Sequence, residues 1–256
     1  MTQVKLPSAA KRFHLLVAGS CPWCRRVTIT RRLLGLADAV GITYASGRGE
    51  HGWEFAQGLP AALGEVTLLR DLYARDPEFS GRATVPAVAD LATARLVQVE
   101  SAGILWWLIR TMEAFHAPGA PLLLPHVACG VAEFWHGTDE SLTKPFGRAI
   151  HATDPAERQA AAAELTQTLI QMNDKFDAVI AELVRFGENT LADVVLFSAL
   201  TTYFGLGDEK LPVGSRPQDL SLDNLRAYVH GLMMQPDWLV PEEEAALPGL
   251  RVHVTR

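Results

Sequence analysis

The stretch SCPWCRRV, Ser20 to Val27, sets two cysteines two residues apart, with Pro22 and Trp23 between them and Arg25 and Arg26 behind. Before it runs FHLLVA (Phe13 to Ala18), a short apolar segment suited to a buried strand and closed by Gly19. Proline is favoured at a first helical position, where its missing N–H costs nothing, so a helix is expected from Pro22. Its end is expected at Leu34, before Gly35, with Val27, Leu33 and Leu34 facing inward and Arg31 and Arg32 in water. The cysteine pair has three readings: half of a zinc site, a disulfide-exchanging dithiol, or one working thiol with a neighbour.

Composition narrows these. The chain has 256 residues, 48% of them hydrophobic and 20% charged, enough apolar material for one large core or two ordinary ones. Three cysteines in that length do not make a disulfide scaffold, which points to a reducing compartment and a catalytic or metal-binding pair. Structural zinc wants four ligands. The third cysteine, Cys129, has only His126 and His136 near it, a spacing that fits no common zinc knuckle, so no metal is expected. A net charge of −6 argues against nucleic acid and anionic membrane as partners. The N-terminal segment lacks the apolar core of a signal peptide, and AGILWWLI (Ala102 to Ile109) is too short to span a bilayer. The expectation is a cytoplasmic protein without a membrane segment.

Working outward, GITYAS from Gly41 reads as a second strand, and Gly47 to Gly64 as a glycine-rich loop. TVPAVAD and RLVQV read as two strands joined by a turn, after which ESAGILWWLIRTM resumes helical spacing. The order β-α-β, loop, β-β-α is that of a thioredoxin-like domain. HAPGAPLLLP (His116 to Pro125) breaks it with three prolines and a glycine, and nearly everything beyond is helical. The fold expected is therefore an α/β thioredoxin-like domain, residues 1–116, a linker, 117–125, and an all-α domain, 126–256. In the helical part, Leu165, Leu169, Met172, Phe176, Val179 and Leu183 read as one core-facing stripe opened by Asp154-Pro155 and closed by Gly187. Thr190 with Asp193 reads as a capping box, and Leu222 to Met234 as a last helix.

A thiol at a helix start meets unsatisfied N–H groups and the positive end of the helix dipole, both of which favour thiolate. Cys21 is so placed, and Cys24 lies one turn in, so Cys21 is the candidate nucleophile. Val85-Pro86 stands where a thioredoxin-like fold carries a cis-proline facing the active cysteine. Glu100 and Ser101 open the next helix, pairing an acceptor for an ammonium with a hydroxyl for an anion, which suits an α-amino-acid head.

These pieces together resemble the glutathione transferase superfamily, and within it the Xi class of glutathionyl-hydroquinone reductases. CPWCRR is similar to that class's C-P-W-A-H-R, GWEF to its G-W-x-F, and LYARDPEFSGRATVPAV to its L-Y-x-x-A-D-P-x-Y-S-G-R-x-T-V-P-V-L. LVQVES stands at I-V-N-N-E-S, and TLADVVLF resembles T-x-A-D-x-x-L-F. The resemblance implies Cys21 as nucleophile and Trp53 as a contact to the tripeptide. It implies that Val85 and Pro86 pair with the tripeptide's cysteinyl backbone, and that Glu100 and Ser101 hold its γ-glutamyl end. Arg26 falls on the family's motif arginine. Trp53 taken alone reads more often as a half-buried loop anchor. This chain departs from the class with Cys24 for alanine and Arg25 for histidine. In its helical part, Phe146 and Tyr203 are the nearest aromatics to the class's substrate-pocket tyrosines.

The function the resemblance implies is removal of glutathione from conjugates such as glutathionyl-hydroquinones through a mixed disulfide on Cys21. Glutathione is then the co-substrate, an aromatic or other electrophilic conjugate the partner, and a homodimer the expected assembly. Two alternatives stand beside it: a glutaredoxin-like dithiol oxidoreductase in which Cys24 resolves the mixed disulfide, and a non-catalytic binding module on the same fold.

Overall fold

A computed structural model describes residues 8–77, 79, 81–125 and 128–254. His126, and Glu78 and Ser80 of the DPEFSGR block, lie outside the described residues. The chain divides into two compact units, residues 1–120 and 121–256.

In the first unit β1 (Phe13–Val17) leads to α1 (Pro22–Leu33) and back to β2 (Gly41–Tyr44), which lies parallel to β1. β5 (Ala87–Asp90) pairs antiparallel with β1, and β6 (Arg95–Gln98) antiparallel with β5, giving the order β2-β1-β5-β6. This is a thioredoxin-like sheet, as the order of elements implied. Leu15, Leu16 and Val17 on β1 have no exposed surface, and each such side chain contributes roughly 2 kcal/mol by burial. The edge of Phe13 meets the Trp107 ring at 5.2 Å. α3 (Ser101–Trp106) packs on α1 and runs directly into a wider π turn, Trp107–Thr111.

Several details differ from expectation. The segment read as a loop from Gly47 contains a small antiparallel ribbon, β3 (Gly47–Gly49) with β4 (Gly52–Glu54), and a short α2 (Leu69–Tyr73) follows. Three-residue strands turning through Gly52 at φ +100 carry too little alternation to read from sequence. Arg31, expected in water, is 8% exposed: its guanidinium donates to the carbonyls of Val40 at 2.6 Å and Ala37 at 2.9 Å, closing the turn after α1. The stretch 117–125 is not a free tether. The Ala117 N–H donates to Leu34 O at 2.9 Å within the first unit, and Leu123 O accepts from the Leu191 N–H at 2.9 Å within the second.

The second unit contains α4 (Ala128–Thr138), α5 (Lys144–His151), α6 (Pro155–Asp174), α7 (Phe176–Phe186), α8 (Leu191–Lys210), α9 (Asp223–Met233) and two short helices, α10 (Pro241–Ala245) and α11 (Leu250–Val254). The single stripe expected from 155 to 187 is two helices, interrupted at Lys175. At the break the side chain of Asn224 on α9 donates to the Asn173 carbonyl at 3.0 Å, and the Asn224 N–H donates to the Asn173 side chain at 3.1 Å. The capping box is present: the Thr190 N–H donates to Asp193 Oδ2 at 2.9 Å. α8 behind it is buried along almost its whole length. No helix among the described residues is long and apolar enough to cross a membrane.

Candidate active site

The loop Ala18-Gly19-Ser20 carries the chain from the end of β1 to Cys21, the N-cap of α1 with extended backbone (φ −92, ψ 119). In that conformation the Cys21 sulfur accepts the N–H of Cys24 at 3.4 Å, where a serine or aspartate would ordinarily cap. The thiol donates toward Val85 O at 3.8 Å, across from the Val85–Pro86 bond, which is cis. Val85 is 7% exposed. Upstream, the Tyr73 hydroxyl donates to Thr84 O at 2.8 Å, so α2 fixes the segment that faces the thiol.

The two cysteines have opposite electrostatics. The Cys21 thiol is lowered from its ordinary value by hydrogen bonding from the Cys24 side chain, then by the N–H groups of Cys24 and Trp23 and the charge of Arg25, against burial. Burial pushes the Cys24 thiol well up, and the neighbouring Cys21 sulfur adds to this. Cys24 has no exposed surface, and its sulfur accepts the Ala18 N–H at 3.4 Å. Arg25 is 1% exposed and donates through Nη2 to Gly19 O, bracing the loop before Cys21. A guanidinium stays charged at every relevant pH, which the histidine of the similar class would not.

One turn further, Arg26 Nη2 donates to Ser101 Oγ at 2.6 Å, joining α1 to the start of α3. Glu100 caps α3 with its side chain in solvent. Its backbone is set by Gln98, whose Oε1 accepts the N–H groups of Val99 and Glu100 at 3.0 Å each. Space is tight there: a Cβ on Gly103 would stand 2.4 Å from Gln98 Nε2. Sequence reading passed over Gln98, Tyr73 and the burial of Arg25. Tyr73 lies inside the LYARDP block and Gln98 inside LVQVES, the available signals.

The structure thus brings Cys21 against Val85 and Arg26 against Ser101. Trp53 sits on the β3–β4 ribbon, half-buried, with the Arg48 guanidinium 5.7 Å from its ring centre. No hydrogen bond or ring contact joins Trp53 to Cys21, Val85 or Ser101 among the described residues. Tyr203, expected as a substrate contact, is a core residue of the second unit. It is 2% exposed, and its hydroxyl donates to Ser215 O at 3.2 Å. α8 is buried on nearly every face, so an aromatic in its middle meets protein rather than ligand. Among the described residues no cluster of three or more His, Cys, Asp or Glu side chains could hold a metal.

A thioredoxin-like sheet with a capping thiol at its first helix, followed by a helical unit, defines a glutathione transferase fold. Residues 20–111 match the family model of the glutathione S-transferase N-terminal domain. The chain is 28% identical to glutathionyl-hydroquinone reductase YqjG of Escherichia coli, over 63% of this chain and 51% of that protein. It is 34% identical to glutathionyl-hydroquinone reductase PcpF of Sphingobium chlorophenolicum, over 37% of this chain and 32% of that one. The matched stretch therefore spans about half of the first relative's length and about a third of the second's. The solved Xi glutathione transferase of Phanerochaete chrysosporium superposes with a TM-score of 0.80 at 23% identity, covering 98% of this chain and 85% of that one. The glutathione-bound structure of YqjG gives 0.77 at 22%, covering 97% and 83%. Both share the fold of this chain.

Proposed function

We propose that this protein is a cysteine-dependent glutathione transferase that removes glutathione from electrophile-derived conjugates. The Cys21 thiolate attacks the sulfur of the conjugate. The sulfur–sulfur bond forms as the carbon–sulfur bond breaks, and the carbon leaves with the electron pair and takes a proton. A second glutathione thiolate then attacks the glutathionyl sulfur, releasing glutathione disulfide and restoring the Cys21 thiolate. The carbon is reduced by two electrons, and the conjugate's glutathionyl sulfur and one free glutathione thiol end as one disulfide.

The observation that carries this reading is the Cys21 sulfur itself, capping α1 through the Cys24 N–H and facing the Val85 carbonyl. The Cys24 N–H favours thiolate, and the Val85 carbonyl is a peptide edge beside it for a tripeptide thiol. The glutathionyl-hydroquinone reductases among the relatives support a glutathionyl-hydroquinone as the substrate class. The remaining roles are Val85 and Pro86 at the cysteinyl backbone, Glu100 and Ser101 at the γ-glutamyl end, and Trp53 over the tripeptide. The reading includes a cytoplasmic homodimer. A dithiol mechanism through Cys24 is the second reading, favoured by the closeness of the two thiols.

Incubation with glutathione disulfide followed by peptide mass mapping tests the proposal. The expected result is a single glutathione adduct, on Cys21. An adduct confined to Cys129, or none at all, would overturn it.

A further inference from the structure

Arg26 and Ser101 lie 75 positions apart, yet the guanidinium donates to the serine hydroxyl at 2.6 Å. Arg26 is 5% exposed and Ser101 8%, so solvent screens the bond little. A serine hydroxyl offers one proton and two lone pairs, whereas a guanidinium only donates. With one lone pair held by Arg26, the hydroxyl cannot spend its proton on that neighbour and keeps it for a third group. The charge behind the oxygen also polarises the O–H bond, which makes it a stronger donor. Beside it stands the exposed carboxylate of Glu100, an acceptor, on a backbone held by Gln98. Donor and acceptor thus have fixed, opposite polarity at neighbouring positions.

We infer that Arg26 is a positioning residue that makes the Ser101 subsite selective for a carboxylate. It acts through the Ser101 hydroxyl instead of touching the ligand. The inference rests on the proposed reading that this site takes a γ-glutamyl thiol, and it assigns the α-carboxylate of that head to Ser101. Arg26 therefore belongs one layer behind the ligand and not among its contacts. A neutral side chain in its place would leave Ser101 free to turn its proton inward, and a carboxamide would then serve as well as a carboxylate.

The test is calorimetric binding of glutathione, and of its analogue whose γ-glutamyl α-carboxylate is a carboxamide, to the full chain. The wild type should prefer glutathione by about tenfold or more, the usual size of a hydrogen bond to a charged group. Arg26→Gln should lose most of that preference by weakening glutathione alone, with the carboxamide analogue held within about twofold. Ser101→Ala should do the same, and the double variant should be no weaker than the weaker single one, because one residue acts through the other. Arg26→Lys should recover part of the preference. Equal weakening of both ligands in Arg26→Gln, or additive losses in the double variant, overturns the inference. If Arg26→Gln does not fold, Arg26→Lys decides. Ser101→Ala made in that background must cost glutathione clearly less than it does in the wild type, and an equal cost overturns the inference. A wild-type chain that binds neither ligand sinks the proposed function itself, an outcome distinct from binding both equally.

Discussion

The Cys24 N–H donates to the Cys21 sulfur at 3.4 Å, so the second cysteine's backbone serves the first cysteine's thiolate. Its own sulfur accepts the Ala18 N–H at 3.4 Å while its thiol hydrogen-bonds to Cys21. One residue therefore favours the Cys21 thiolate through both its side chain and its amide, and any residue at that position supplies the amide.

Thiol alkylation reads this directly. An ordinary cysteine is under about 1% thiolate at pH 6. Because the Cys21 pKa is lowered, its thiolate persists as pH falls and is lost only on passing that lowered value. At pH 6, iodoacetamide is expected to label Cys21 about tenfold or more ahead of the buried Cys24 and the exposed Cys129, as judged by peptide mapping. Equal labelling of the three would sink the assignment.

The proposed binding residues have their own test. Glu100→Gln removes an exposed carboxylate and Trp53→Ala a ribbon side chain, so neither disturbs the core. Each is expected to weaken glutathione by about fivefold to tenfold with far-ultraviolet dichroism unchanged. Unchanged affinity in both would show that the ligand lies elsewhere.

His14 gives a pH dependence of stability. Its ring nitrogen lies 2.7 Å from Thr43 Oγ1, and burial first, then the Arg31 charge, hold its pKa down to about 4. The unfolded chain, with histidine near 6.5, binds the proton that the folded chain refuses between those values. Stability contributed by neutral His14 is therefore full above about pH 6.5 and is lost as pH falls toward 4. His14→Gln should flatten that part of the curve by on the order of 1 kcal/mol after solvent screening, in urea titrations at pH 4.5 and 7.5. An unchanged slope would refute the assignment.

Local chemistry explains what sequence reading could reach. Cys21-Pro22 marked a helix start because a cap and an N1 proline are properties of adjacent residues, and Thr190 with Asp193 did so for α8. The α6–α7 break was hidden because it answers to Asn224, some fifty positions on. Arg31 looked like a wet residue because its acceptors, the Val40 and Ala37 carbonyls, are backbone and carry no side-chain signature. The Arg26–Ser101 bond was likewise beyond reach, since charge and hydroxyl meet only once α1 packs on α3.

Gly35 ends α1 in the left-handed region, φ +67, and a Cβ there would stand 2.3 Å from the Ala117 Cβ. Gly35→Ala must strain the backbone and also push away the segment tied to Leu34 O. The expected loss is roughly 1 to 3 kcal/mol by urea denaturation, with Cys21 labelling retained at the other end of the helix. No loss would mean the turn relaxes freely.

The cysteine pair itself is the last test. Proximity favours a dithiol, because Cys24 is one helical turn from Cys21 and within reach of a disulfide if the first turn adjusts. Three observations weigh against its being required. Burial pushes the Cys24 thiol well up, so little thiolate is present to attack a mixed disulfide. Its sulfur has no exposed surface and already accepts the Ala18 N–H. The help it gives Cys21 comes partly from a backbone amide that any residue supplies. Cys21→Ser is therefore expected to abolish turnover of a glutathionyl-hydroquinone with excess glutathione. Cys24→Ser should keep about a third or more of the rate, because the Cys24 and Trp23 N–H groups still hold the Cys21 thiolate when the side-chain hydrogen bond is lost. The wild type, but not Cys24→Ser, should also lose activity in diamide and regain it with dithiothreitol, as Cys24 traps the nucleophile under oxidation. Loss of turnover in Cys24→Ser, with a glutathione adduct accumulating on Cys21, would instead make Cys24 the resolving thiol.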